Sequence, residues 1–148
     1  MQQMLITLIP WLACCGIAGA LIYGAERDYK LRIIPNSVPI VILACGCFTS
    51  VPLVSKLISL GIMVGILFLC TAIMKQTSGG GDIKLYCALS FALGLQSFAI
   101  VLVGTLVLCM IWKRLKHMKR GERVPLCTFM APAYGFYLSM ALIAHFIF

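Results

Sequence analysis

The fold of this chain depends on one uncharged stretch, LYCALSFALGLQSFAIVLVGTLVLCMIW, which occupies residues 85–112. A helix needs about 20 apolar residues to cross a bilayer. The stretch is therefore long for one membrane span and short for two. If it forms two short helices, a turn is expected near Gly94-Leu95-Gln96-Ser97 in its middle.

The distribution of lysine and arginine decides between these interpretations, because cytoplasmic loops of membrane proteins are enriched in both residues. If the stretch forms two helices, 11 basic residues lie on one side of the membrane and Lys56 alone lies on the other. If it forms one helix, the division is 5 against 7, which is no bias. The charge pattern therefore predicts two short spans.

Composition places the whole chain in a membrane. Apolar residues make up 62% of the 148 residues, charged residues make up 11%, and the mean hydropathy is +1.06. A soluble domain needs more polar surface than this. The longest polar stretch covers residues 113–123, so we expect residues 1–148 to form a single membrane-embedded domain. The net charge of +8 then reflects topology and not binding to nucleic acid.

We expect an all-α integral membrane protein with about six transmembrane helices and both termini outside the cytoplasm. The expected spans are Met4–Ala25, Val38–Ser55, Leu57–Met74, two short helices within 85–112, and Phe129–Phe148. Pro52 and Lys56 are expected to mark the turn between the second and third spans. Gly61 and Gly65 form a small-xxx-small pattern, which predicts close helix packing.

Asp28 and Asp82 are the only aspartates in the chain, and both are expected at the cytoplasmic surface. Ionisable acids near a membrane span are costly and often functional. Two carboxyl groups that share one proton can activate a water and protonate a carbonyl or a departing amine. Each acid alone has a simpler structural interpretation. Asp82 could be a helix N-cap, and Asp28 could pair with nearby basic residues.

The local sequence predicts that the two acids differ. Asp82 follows Gly79, Gly80 and Gly81 and starts a helix, where free N–H groups and the helix dipole favour a carboxylate. Asp28 ends a helix, where the dipole has the opposite effect. We therefore expect Asp82 to act as the base and Asp28 as the acid. The three glycines would let an extended substrate approach Asp82 closely.

No metal and no cofactor are expected. The eight cysteines lie mostly within apolar stretches and form no CxxC pair, so a thiolate zinc site is not indicated. His117 and His145 have no obvious acidic partner in the sequence.

The two aspartate segments resemble those of the type IV prepilin peptidases, which are membrane aspartic proteases of the GxGD class. In that family a first aspartate is followed at a fixed distance by Pro-Asn or Pro-Asp. Here Asp28 is followed, after six intervening residues, by Pro35-Asn36. The family's second aspartate lies in a GxGDxK(L) motif, which reads Gly79-Gly80-Gly81-Asp82-Ile83-Lys84-Leu85 in this chain.

A third similarity lies before the last span. Arg123-Val124-Pro125-Leu126 resembles the family's basic residue followed by a Val-Pro-Phe-Gly-Pro-like run. This chain departs from that pattern at Cys127 and Thr128, where small and proline residues are typical. The resemblance covers essentially the whole length.

The resemblance implies an endopeptidase that cleaves the short basic leader of type IV prepilins or pseudopilins on the cytoplasmic side of the inner membrane. Asp28 and Asp82 are the implied catalytic pair. Substrate-binding or supporting roles are implied for Gly79, Gly80, Gly81, Lys84, Pro35 and Asn36. The implied partners are the prepilin substrates and membrane lipid, without nucleic acid, and the oligomeric state stays open. The chain resembles short members of the family, which lack the cysteine-rich insert, so cleavage without N-methylation is expected.

Two other interpretations compete with this one. A non-catalytic scaffold or small transporter subunit of a pilus or secretion system would need neither aspartate. A protease of the presenilin or signal-peptide-peptidase type shares GxGD but has a Tyr-Asp first motif within a span. The order here is Arg27-Asp28-Tyr29, which does not fit that type.

Overall fold

The computed structural model describes residues 2–74, 80–116 and 126–147, and the regular structure in these ranges is entirely helical. The helices are α1 (Gln2–Leu31), α2 (Ser37–Cys47), α3 (Leu53–Met74), α4 (Gly80–Leu115) and α5 (Leu126–Ile147). Three segments are long and apolar enough to cross a membrane, namely Ile9–Leu31, Gly80–Leu115 and Leu126–Ala144. Large apolar side chains such as Phe68 and Met110 are exposed, as lipid-facing residues are. The prediction of an all-α membrane protein is confirmed for the described residues.

Helix α4 is broken at Gly94. This residue has φ 74° and ψ 168°, a backbone conformation that glycine adopts far more readily than other residues. The rings of Tyr86 and Phe98 lie on opposite sides of the break, and their centroids are 6.4 Å apart. A straight helix would separate these two residues by about 18 Å along its axis. The chain therefore folds back here, within the predicted turn, and α4 consists of two parts, 80–93 and 95–115.

Contacts with other helices confirm that the two parts of α4 run in opposite directions. In the first part, Lys84 contacts Asn36 just before α2, and Ser90 contacts Ser59 of α3. The second part packs along α5: the Tyr137 hydroxyl donates a hydrogen bond to Ser97 Oγ (2.7 Å), and the centroid of the Trp112 ring lies 5.7 Å from that of Phe129. Residues near both ends of α4 are thereby brought to the same end of the bundle.

The turn between α2 and α3 differs from the sequence prediction. α2 ends at Cys47 and α3 begins at Leu53, whereas the second span was expected to reach Ser55. Lys56 is not a loop residue but lies in the first turns of α3, only 3% exposed. Its ammonium group donates hydrogen bonds to the carbonyl oxygens of Gly46 (2.6 Å) and Thr49 (3.2 Å). Gly46 lies in the last turn of α2, and its carbonyl oxygen also accepts from the N–H and the hydroxyl of Thr49, so the lysine adds to the hydrogen bonds that close this turn.

The closest helix packing is at Gly46. A Cβ atom added there would lie 2.8 Å from the Cβ of Ala92, so α2 and the first part of α4 are in near backbone contact. Added Cβ atoms at Gly61 and Gly65 would meet nothing within 4 Å in the part of the chain that is described. The small-xxx-small pattern therefore does not form a helix contact there.

Helices α1 and α5 pack antiparallel to each other. The Tyr134 hydroxyl donates a hydrogen bond to the Cys14 carbonyl (3.2 Å), and the Thr128 hydroxyl donates one to the Ala25 carbonyl (3.2 Å). The end of α1 therefore lies beside the start of α5. This arrangement determines the surroundings of Asp28.

Candidate active site

Asp28 lies in the last turn of α1 and is buried, with 7% of its surface exposed. It continues the buried stripe of Ile17, Leu21 and Gly24 along that helix, which explains why a charged residue near a helix end is not in solvent. Its Oδ2 atom accepts a hydrogen bond from the main-chain N–H of Cys127, at 2.9 Å.

The backbone directly after Asp28 makes a sharp turn. Arg32 has φ 53°, and its N–H donates to the Asp28 carbonyl oxygen at 2.9 Å, which ends α1. This left-handed geometry is usual for glycine after a helix and uncommon for arginine. The turn directs Ile34 and Pro35 toward the start of α4.

Asp82 lies in the first turn of α4 and is half-buried. It interacts electrostatically with Tyr86, one turn further along the same helix. Both Asp82 and Asp28 interact electrostatically with the thiol of Cys127. The two acids, separated by more than fifty residues in sequence, therefore lie at the same end of the bundle.

The glycines before Asp82 are not equivalent. An added Cβ atom at Gly81 would lie 3.2 Å from the Cβ of Ile34, in the segment that follows Asp28. At Gly80 an added Cβ would meet nothing within 4 Å among the described residues. Gly79 lies outside the described residues. The close backbone approach that the sequence predicts is present at Gly81, and its partner is this chain's own Ile34.

A hydrogen bond links the two sequence motifs directly. The Lys84 ammonium group donates to the Asn36 side-chain oxygen at 3.1 Å. Asn36 precedes α2, whose start is also held by a hydrogen bond from the Val38 N–H to the Pro35 carbonyl oxygen (3.1 Å). These three residues, Pro35, Asn36 and Lys84, belong to two separate sequence motifs but form one local structure.

An open, mostly apolar groove of about 540 Å³ begins at the Lys84–Asn36 pair. It runs between α2, α3 and the first part of α4. Its lining residues are Asn36, Pro39, Ile40, Leu43, Leu60, Lys84, Cys87 and Ala88. The groove gives the site an apolar extension into the bundle.

Sequence reasoning did not find the role of Cys127 or of Tyr86. Cys127 stood out only as a departure from the family pattern, and its contact with Asp28 spans 99 residues of sequence. Its N–H also adds to the expectation for Asp28, which was based on the end of α1 alone. The start of a second helix faces Asp28, and its N–H donor partly offsets the effect of burial on this carboxyl group. The similarity at Arg123-Val124-Pro125 lies outside the described residues.

The fold and site define a helical membrane protein with two acidic side chains gathered at one end. Residues 15–113 match the model of the type IV leader peptidase family, and this range includes Asp28, Asp82 and the segments around them. The chain belongs to this family, and it is a multi-pass membrane peptidase of that type. Neither a curated protein nor a solved structure matches the chain.

Proposed function

We propose that the chain is an aspartic endopeptidase in which Asp28 and Asp82 form the catalytic pair. The observation that carries the proposal is the packing of Gly81, the residue before Asp82, against Ile34 in the segment that follows Asp28, which brings both acids to one end of the bundle. The Lys84–Asn36 hydrogen bond supports it, because it joins the same two motifs a second time. The remaining supporting roles, those of Gly79, Gly80 and Pro35, belong to the same proposal.

The reaction needs one ionised and one protonated carboxyl group. The ionised group takes a proton from water as the water oxygen bonds to the amide carbon, and the protonated group gives its proton to the carbonyl oxygen. In the resulting diol, the first group passes its proton to the nitrogen and the second takes back a hydroxyl proton. The C–N bond then breaks, which releases a carboxylic acid and an amine. Neither a metal ion nor a cofactor takes part in this scheme.

Asp82 is the base and Asp28 the acid in this proposal. Asp28 is the more buried of the two, and burial favours the neutral form of a carboxyl group. Asp82 lies in the first turn of α4, where the helix dipole favours the ionised form.

The proposed substrate is the short basic leader of a type IV prepilin or pseudopilin, cut on the cytoplasmic side of the inner membrane. The basic residues near the aspartates support this orientation, namely Arg27, Lys30, Arg32, Lys84, Lys113, Arg114 and Lys116. Lys56 lies at the opposite end of the bundle. Such a substrate has a charged leader in water and an apolar helix in the bilayer, and an acid pair at the membrane boundary suits it.

The proposed topology has six spans, with both termini outside the cytoplasm, and residues 1–148 as one peptidase domain. Cleavage without N-methylation is also proposed. The connection between α1 and α2 consists of residues 32–36, which is too short to contain a cysteine-rich insert.

Replacing either acid tests the proposal. We expect Asp28→Asn and Asp82→Asn each to lower cleavage of a co-expressed prepilin by at least about a hundredfold, because neither variant can complete the proton transfers. The measurement is the mass of the product, which reports both leader loss and a free, unmethylated N-terminus.

Glu26→Gln is the matched control. Glu26 is an acid in the same part of α1, but it is exposed and paired with Lys30 at 2.6 Å. This variant is expected to retain cleavage. If Asp28→Asn and Asp82→Asn retained it as well, the chain would be a non-catalytic membrane subunit instead.

A further inference from the structure

The first turn of α5 is in direct contact with Asp28. The Cys127 N–H donates to Asp28 Oδ2 at 2.9 Å, and the Thr128 N–H lies close to the same carboxyl group. Cys127 is fully buried. Cys127 and Thr128 lie outside the range 15–113 that matches the family.

These N–H groups are free to bind Asp28 because of their position in the helix. The first four N–H groups of an α-helix have no intrahelical acceptor. α5 begins at Leu126, so both Cys127 and Thr128 fall within that turn. Buried donors of this kind need a partner, and Asp28 is the partner that the fold provides.

The register of α5 against α1 keeps the donors in place. The Thr128 hydroxyl is bonded to the Ala25 carbonyl, and the Cys127 thiol lies 3.9 Å from the Leu21 carbonyl oxygen. Gly24 provides the space for that thiol, since an added Cβ atom would lie 3.0 Å from its sulfur. The position of the Cys127 N–H is therefore fixed by contacts with the turn of α1 that precedes Asp28.

We propose that Cys127 is a positioning residue whose main-chain N–H determines which oxygen of Asp28 carries the catalytic proton. Oδ2 accepts the hydrogen bond from this N–H, so the carboxyl proton resides on the other oxygen, Oδ1. Oδ1 is then the oxygen that exchanges protons with the substrate. The inference rests on the proposed function and assigns the effect to the N–H rather than to the thiol.

The surroundings of Asp28 define what a pH profile would report. Two charged or titratable groups lie near Asp28, namely Arg32 after α1 and the Cys127 thiol on α5. Asp82 on α4 interacts with the same thiol. An N–H donor favours the ionised form of a carboxyl group. If the N–H donor is lost, the part of the pH–activity profile that reports the ionisation of Asp28 moves to higher pH.

Proline substitution removes the N–H together with the buried thiol, and the proline ring takes the place of the N–H hydrogen. Proline is tolerated in the first turn of a helix, where its missing N–H has no intrahelical role. We expect Cys127→Pro to lower kcat for prepilin cleavage by about tenfold or more, with KM within about threefold, since the hydrogen bond that orients the Asp28 carboxyl group is lost. The same variant should shift the pH profile upward. The assay uses the full chain in vesicles of bacterial lipid.

Two control variants separate the N–H from other effects. Cys127→Ala keeps the N–H and should retain kcat within about threefold, and Leu126→Pro places a proline in the same turn without touching the donors. Parent-like kcat and pH profile in Cys127→Pro would overturn the inference. An equal loss in Cys127→Ala would also overturn it, because the thiol would then be the active group.

Gly24→Ala covers the case in which Cys127→Pro does not fold. The added methyl group pushes on the Cys127 sulfur, and also on Val38, and so displaces the N–H; we expect a lower kcat that Cys127→Ala restores in part in the double variant. Absence of either effect would contradict the inference. Asp28→Asn distinguishes failure of this inference from failure of the proposed function. If Asp28→Asn retained cleavage, the proposed function itself would be wrong.

Discussion

Gly80 and Gly81 are neighbours in sequence, yet they have different surroundings. Gly81 faces Ile34 at a distance that leaves no room for a methyl group, whereas Gly80 faces open space among the described residues. The contact at Gly81 joins the segment after Asp28 to the segment before Asp82. A glycine motif can therefore serve to bring two parts of the same chain together.

This difference predicts different effects of alanine at the two positions. Gly81→Ala forces Ile34 to move, at a cost of about 1–3 kcal/mol for overpacking, and should lower the cleavage rate by about tenfold. Gly80→Ala should have the smaller effect on the rate, because no described side chain has to move. Cleavage rates of both variants, normalised to folded protein, check the prediction. Equal rates would show that the Ile34 contact does not affect the site.

At the scale of single residues, the sequence predicts the acids but not their partners. Asp28, Asp82, Lys84 and Asn36 all belong to recognisable motifs. The hydrogen bond from Lys84 to Asn36 and that from Cys127 to Asp28 join residues 48 and 99 positions apart. Such contacts depend on helix register and packing, which local patterns do not specify.

Among the helices, the break in α4 has the largest effect on the arrangement. Gly94 combines φ 74° with close neighbours, since an added Cβ atom would lie 3.0 Å from Val51. Thr49 donates a hydrogen bond to the Ala92 carbonyl at 2.8 Å, which satisfies an acceptor near the break. Conformation, packing and hydrogen bonding therefore all favour the reversal at this position.

Alanine at Gly94 is expected to destabilise the bundle. The Gly94 backbone conformation is open essentially to glycine alone and costs about 1–3 kcal/mol for a residue with a Cβ atom, and contact with Val51 adds to it. Gly104→Ala is the control in the same helix, because its added Cβ atom would meet Ala133 at an ordinary 3.5 Å. Thermal unfolding in detergent should show a clear loss for Gly94→Ala alone. Similar melting of the two variants would contradict this account.

Loop charge predicts the reversal of α4 well, whereas it misplaces the turn between α2 and α3. A lysine is normally taken as a sign of a water-exposed loop, and on that basis Lys56 was expected at the turn. The structure buries it against the carbonyl groups at the end of α2. Burial of a cation in this way requires a tertiary partner, which the sequence does not reveal.

For the whole molecule, the membrane topology gives a direct test. With six spans, the turn at residues 48–52 and the segment after Lys116 lie on opposite sides of the membrane. If α4 crossed only once, the two would lie on the same side. Short epitope tags inserted at these two places should therefore be accessible from opposite sides of sealed vesicles. Labelling of both tags from one side would exclude the six-span topology.

The short helices beside the two acids also bear on the lipid around them. α2 has 11 residues and spans about 16 Å, and the first part of α4 spans about 21 Å, against a hydrocarbon thickness of about 30 Å. Lipid adapts to such hydrophobic mismatch by thinning locally. Water can then reach acids that lie below the surrounding headgroups. The depth of the hydrolysed bond would therefore follow the length of these helices, and bilayer thickness becomes part of the enzyme's specificity.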